Sequence, residues 1–311
     1  MNPPPAGDGV FRAYYVWPRF PSVSISKGAC ALDCAHCGGK YLQFMEQPDG
    51  PDEMARDLLE RFDGGDIDGA LVSGGCDREG RLLGLDRYLT ALSRLTERGM
   101  IIKLHTGFVD IALARKISDA GVQIASQEMA GDPSSVQEVF GLDCGLDPFM
   151  ETFRALRDAD IPHICPHIVV GLHGGEIRGE ARALEELARI LTPSTLAIII
   201  FRPTSGTRFE GNPPPRPEDV RRFVELARET FPTTKLVLGS LRPRSSSPGR
   251  SDREVRLDME RAAMSGGVDG MELPSQALLR EVRDAGMKIM KVNAFGVLPR
   301  EYEQRVRTQW S

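Results

Sequence analysis

Three of the six cysteines, Cys30, Cys34 and Cys37, fall within eight residues. Their spacing is C-x3-C-x2-C, in the text Gly28-Ala29-Cys30-Ala31-Leu32-Asp33-Cys34-Ala35-His36-Cys37-Gly38-Gly39. Thiols this crowded point to a metal site rather than to disulfides. Two metal chemistries use such thiolates. A structural zinc wants four ligands, with His36 as the fourth, and no second CxxC-type pair completes a zinc-finger pattern. An iron–sulfur cluster normally takes four thiolates, so three leave one iron open to another ligand. Gly28, Gly38 and Gly39 let the loop turn tightly enough for three sulfurs to reach one cluster.

Other candidate groups follow apolar runs. Ser73-Gly74-Gly75-Cys76 offers glycines where a backbone must approach a ligand. His105 and the trio Ser126, Gln127 and Glu128 end further runs. Arg202 and Arg242, each followed by proline, also stand at strand ends. Two guanidiniums there suit a small-molecule substrate bearing a carboxylate or phosphate. Cys76 and Cys144 fall in loops between elements, while Cys165 precedes the core of its run.

These groups need elements to position them. Apolar runs at 22–26, 69–73, 101–104, 122–126, 166–170, 196–201, 235–239 and 268–273 are bounded by turn residues, as buried parallel strands are. Amphipathic stretches separate them: Leu85, Tyr88, Leu92 and Leu95 recur at helical spacing. Asp110 and Ser275 sit where helix N-caps belong. Eight strand–helix units predict an α/β fold, a (βα)8 barrel, with a doubly wound sheet as the rival. The expected organisation is an N-terminal arm over 1–20, one barrel domain over 21–296 and a C-terminal tail over 297–311.

The formal net charge of −5 argues against a nucleic-acid partner. No run is apolar enough to span a membrane, and the Pro-rich start lacks the features of a signal peptide. A cytoplasmic location is therefore expected, where cysteines stay reduced.

The cysteine triad after the first strand resembles that of the radical S-adenosylmethionine (SAM) superfamily. The likeness runs from about Pro21 to about Pro274, through Ser-Gly-Gly-Cys-Asp (73–77), His-Thr-Gly (105–107) and Pro-His-Ile-Val-Val-Gly-Leu-His (166–173). These segments are similar to the biotin synthase-related branch, which includes a subunit of the two-component lipoyl synthase. The resemblance implies a TIM-type barrel with a 4Fe–4S cluster on Cys30, Cys34 and Cys37. SAM would chelate the open iron and be cleaved reductively to a 5′-deoxyadenosyl radical. It also implies SAM contacts from His36, Ser73, Gly74, Gly75, Glu128 and Val170. His105, Arg202 and Arg242 are expected to face substrate.

Three functions follow from this reading. In the first, hydrogen abstraction leads to sulfur insertion, which requires an auxiliary iron–sulfur cluster and makes Cys76 and Cys144 essential. In the second, an epimerase, dehydrogenase or rearrangement enzyme transfers no sulfur, and Cys76 or Cys144 quenches a substrate radical. In the third, the chain is a cluster-bearing partner subunit without turnover. A ferredoxin or flavodoxin is the expected reductant of an active enzyme.

Overall fold

Short β-rich runs buried on both faces must pair laterally and be covered by the helices between them. The computed structural model describes residues 9–243 and 251–310. Its strands are β1 (Val10–Tyr14), β2 (Ser22–Ser24), β3 (Gly69–Ser73), β4 (Ile101–His105), β5 (Ile124–Glu128), β6 (His163–Val170), β7 (Thr195–Ile200), β8 (Lys235–Leu238), β9 (Gly270–Glu272), β10 (Lys288–Val292) and β11 (Thr308–Trp310). The eight strands expected from sequence are β2 to β9. Helices start where the sequence places their caps: Asp110 accepts from the Leu113 N–H at 2.8 Å, and Ser275 from the Leu278 N–H at 3.1 Å.

The sheet order is β11-β10-β1-β9-β8-β7-β6-β5-β4-β3-β2. Every pairing is parallel except β10 with β11. From β2 to β9 the order never reverses, so no switch point of a doubly wound sheet exists there. The fold is α/β and TIM-type, a partial barrel whose sheet ends are β2 and β11. None of its helices among the described residues is long and apolar enough to cross a membrane.

Residues 10–14, read from sequence as part of an arm, are instead a fully buried strand between β9 and β10. Phe11 and Ala13 join the main core, Val10 and Tyr14 join the inner one, and Arg12 breaks the apolar run that would have revealed the strand. Lysines at two positions similarly disguise β10. The expected tail contains a 3-10 turn, Arg300–Arg305, and then β11 on the edge of β10.

Strand alternation separates two surfaces. Ile102 and Leu104 of β4 pack in the main core, whereas Ile101 joins the inner cluster. The segment after β10 occupies the inside. Lys103 of β4 lies over the Phe295 ring, the Cys165 thiol of β6 faces the Val297 carbonyl, Lys235 of β8 donates to the Leu298 carbonyl, and Glu272 of β9 accepts from the Gly296 N–H. Four strands reaching one short segment mean that the sheet curls around it. An ion pair pins its far end, for Arg12 Nε donates to Glu303 at 2.8 Å and the Tyr14 hydroxyl reaches the same carboxylate at 3.2 Å. Glu303→Gln removes the carboxylate facing a buried guanidinium, and a loss of about 3 kcal/mol is expected in urea unfolding. A loss below about 1 kcal/mol would place this pair among screened surface pairs instead.

Candidate active site

The loop after β2 carries the three cysteines and is clamped from three sides. Its Ala31 N–H donates to the Cys76 carbonyl beyond β3 at 2.7 Å. Its Ala35 N–H donates to Val139 at 2.7 Å, and the Ala35 carbonyl accepts from the Phe209 N–H beyond β7 at 3.0 Å. Arg208 adds a bond to the Asp33 carbonyl at 2.9 Å. Cys34 is buried, Cys30 and Cys37 are partly exposed, and all three are free thiols. The Cys34 thiol bonds to Cys37, which holds Cys34 well above the ordinary thiol range and draws Cys37 down to about 7. The pairing thus favours the thiolate on Cys37, the form that binds metal.

All three cysteines line one cavity of about 330 Å³ at the C-terminal ends of the strands. Among the described residues no three His, Cys, Asp or Glu side chains converge to hold a single ion. A zinc ion needs its ligands at about 2.0–2.3 Å from one point, whereas a multi-iron cluster spreads its thiolates around a larger body. A shared cavity wall with one low-lying thiol suits the second case, and Cys30, Cys34 and Cys37 are the residues that would hold it.

The glycines of the β3 turn have a reason that sequence did not supply. A Cβ on Gly75 would stand 2.0 Å from the Ala29 carbonyl oxygen and 2.5 Å from the Cys30 Cβ. Gly75 is thus required by the cysteine loop lying on it. Its N–H donates to Ser26 Oγ at 2.8 Å, so backbone and loop are tied together. Ser73, Gly74 and Gly75 all line the cavity, and so does Cys76, whose N–H approaches Cys30 Sγ at 3.4 Å. Burial, with Cys30 nearby, pushes the Cys76 thiol up to about 12.

The same cavity is lined by His36, from the cysteine loop itself, and by His105, Ser126, Gln127, Glu128, His167 and Arg202. Buried polar atoms of this set lack a partner among the described residues: His36 Nδ1, His105 Nε2, Ser126 Oγ, Glu128 Oε1, His167 Nε2 and Arg202 Nε. Such atoms are costly unless a ligand meets them. Burial lowers His36 to about 4, and its ring meets Phe140 edge-on. Burial raises Glu128 to about 8, helped by negative charge on Cys37. Phe108, Phe140, Phe149 and Phe201 supply apolar wall.

Three expected site residues lie elsewhere. Val170 packs in the main core and does not line the cavity; Val169 does, because successive strand residues face opposite ways. The same alternation turns His167 inward, a position that could have been read from sequence. Arg242 is buried against Glu260 at 3.6 Å and donates to the Gly239, Leu241 and Glu272 carbonyls, so it braces the chain beyond β8. Cys144 lines a separate, wider cleft, with Phe108 and Leu142 standing between the two spaces. His173 is tied to Ser135 at 3.1 Å and Glu138 at 3.3 Å, a structural role.

No protein-family model matches the chain. Among curated proteins, biotin synthase of Halorhodospira halophila is 26% identical over 277 residues, covering 85% of this chain and 78% of that one. Biotin synthase of Leptothrix cholodnii is 26% identical over 223 residues, covering 70% and 63%. Among solved structures, HydG, a maturase of the FeFe-hydrogenase, matches with a TM-score of 0.63 and 13% identity. That match covers 90% of this chain but 64% of HydG, so the chain spans less than two thirds of that protein. Methylornithine synthase, PylB, gives a TM-score of 0.60 at 14% identity and covers 86% and 82%. The sequence is thus similar to those of biotin synthases, and the fold to those of HydG and PylB.

Two outcomes follow from the site's packing and charge. Gly75→Ala pushes the cysteine loop off the β3 turn, and iron bound after anaerobic reconstitution is expected to drop severalfold; wild-type iron content would show that the loop absorbs the clash. The folded-state value of Glu128, about 8, lies above its ordinary 4.5. Its proton therefore favours the native state below pH 4.5, and that contribution fades as pH climbs to about 8. Metal-free wild type should lose stability relative to Glu128→Gln across that window, whereas parallel curves would mean a solvated carboxyl.

Proposed function

We propose that this chain is an enzyme holding a 4Fe–4S cluster on Cys30, Cys34 and Cys37, with SAM beside it in the cavity. Bound there, the pair would supply one-electron chemistry able to remove hydrogen from an unactivated C–H bond. The observation that carries this reading is the placing of all three cysteines on one wall of a cavity lined by partnerless buried polar atoms.

The chain's own residues bind, orient and exclude water. Glu128 shares the cavity with the cysteines, and its partnerless Oε1 would accept a hydroxyl donor of SAM. His36 is held neutral and stacks its edge on Phe140, leaving its ring beside the adenine site. The four phenylalanines keep water from the reactive centre. Arg202 opens into the cavity and anchors a carboxylate or phosphate of a small-molecule substrate. A ferredoxin or flavodoxin supplies the electron.

Hydrogen abstraction without sulfur transfer is the favoured outcome, because the cysteines left for an auxiliary cluster are scattered. Cys165 is enclosed by Val297 and Ser194 inside the barrel, and Cys144 lies in the second cleft. Cys76 alone shares the cavity. Reconstituted protein should contain about four irons per chain, the content of a single 4Fe–4S cluster. It should form 5′-deoxyadenosine from SAM and dithionite, and Cys34→Ala should abolish that product. About eight irons would restore sulfur insertion. Undiminished 5′-deoxyadenosine from Cys34→Ala would overturn the cluster assignment.

A further inference from the structure

Below the cysteines the cavity ends on a polar surface that the proposed cofactor chemistry does not use. His105 at the end of β4 and His167 on β6 meet edge to face, with ring centres 4.9 Å apart and planes at 82°. Ser126 stands on β5, the strand between them, and pairs in register with His105. Nε2 of both rings and Oγ of Ser126 are buried, and none has a hydrogen-bond partner among the described residues. All three residues line the cavity. Leaving one buried polar atom unmet costs about 1–3 kcal/mol, so three on adjacent strands are a standing cost that a ligand would relieve. Resting on the reading of this cavity as the substrate site, we infer that His105 and His167, with Ser126, hold a neutral hydrogen-bonding group of the substrate, of amide or hydroxyl type, and not a carboxylate or phosphate.

The charge of the surroundings selects the neutral group. Burial, reinforced by Lys103, keeps both imidazoles well below their ordinary range, so they stay uncharged at neutral pH. An uncharged ring offers a donor at one nitrogen and an acceptor at the other. Amides and hydroxyls carry both partners and can satisfy either tautomer; a carboxylate only accepts. Glu128 opens into the same cavity and brings no positive charge that would draw an anion there. The Lys103 ammonium that would attract one is turned away, 5.5 Å over the Phe295 ring, and Lys103 does not line the cavity. An anionic end of the substrate has its own partner in Arg202, on the β7 side. The inferred substrate is thus bifunctional, neutral and polar at its deep end.

With five histidines in the chain, imidazole resonances can be followed singly. Cluster-loaded protein labelled with nitrogen-15 histidine would be titrated with N-methylacetamide, sodium acetate and sodium phosphate. The amide should move the Nε2 signals of His105 and His167 and leave those of His163 and His173 in place. Its binding should weaken about tenfold in His167→Phe, the worth of roughly one hydrogen bond. His167→Gln, which keeps polar atoms at that height, should retain most of the binding and so separates a lost hydrogen bond from a misfolded variant. Acetate or phosphate moving the same signals at lower concentration would overturn the inference, as would silence to all three probes. The titration is independent of turnover; the cluster reading stands or falls on iron content and 5′-deoxyadenosine from wild type.

Discussion

A curled sheet whose ends do not meet must fill its own interior, and here the chain does so with four residues, Phe295 to Leu298. The inward side chains of β4, β6, β8 and β9 all find partners there: a ring for Lys103, carbonyls for Cys165 and Lys235, an N–H for Glu272. Such long polar side chains are tolerated inside only because each is met. The segment thereby fixes the depth of the cavity above it. The imidazoles of His105 and His167 lie one strand step higher than Lys103 and Cys165 respectively and form its lowest polar layer.

Above that layer, packing rather than charge sets the geometry. The cysteine loop has no regular structure of its own apart from the short turn that follows it, so its shape is imposed by what it touches. Gly75 gives it a flat bed, Val139 and Phe209 take up the Ala35 backbone, and Arg208 ties the Asp33 carbonyl. A loop fixed in this way presents its thiols at low entropic cost when metal arrives, which is preorganisation in the ordinary sense.

Sequence displayed the parts of this arrangement that depend on local pattern. The cysteine spacing, the eight apolar runs and the two side-chain caps are all short-range features. Long-range partners were hidden. Nothing local distinguishes Arg202, which opens into the cavity, from Arg242, which Glu260 captures from a helix close by in space. Cys144 looked equivalent to Cys76 because both follow strand-and-loop text, yet Phe108 and Leu142 separate them. Val170 was misplaced through a different cause. Strand parity decides which of two adjacent valines faces the ligand, and an unbroken apolar run conceals parity. β1 was missed because Arg12 interrupts its pattern, and that arginine is explicable only by Glu303, 291 residues away.

That separation has a consequence for how the molecule is made. β1 is made before every other strand of this sheet, yet its neighbours on both sides, β9 and β10, are made after β2 to β8. Throughout synthesis it has no native strand to pair with, and its apolar face stays available to other chains. The sheet can grow from β2 to β9 by nearest-neighbour additions, each closing a modest loop. Inserting β1 between β9 and β10 closes a loop that contains β2 to β8 and their helices. Completion of the fold is therefore a single late event at one edge, and a nascent chain stalled before Lys288 is one whose first strand is still unpaired on that side.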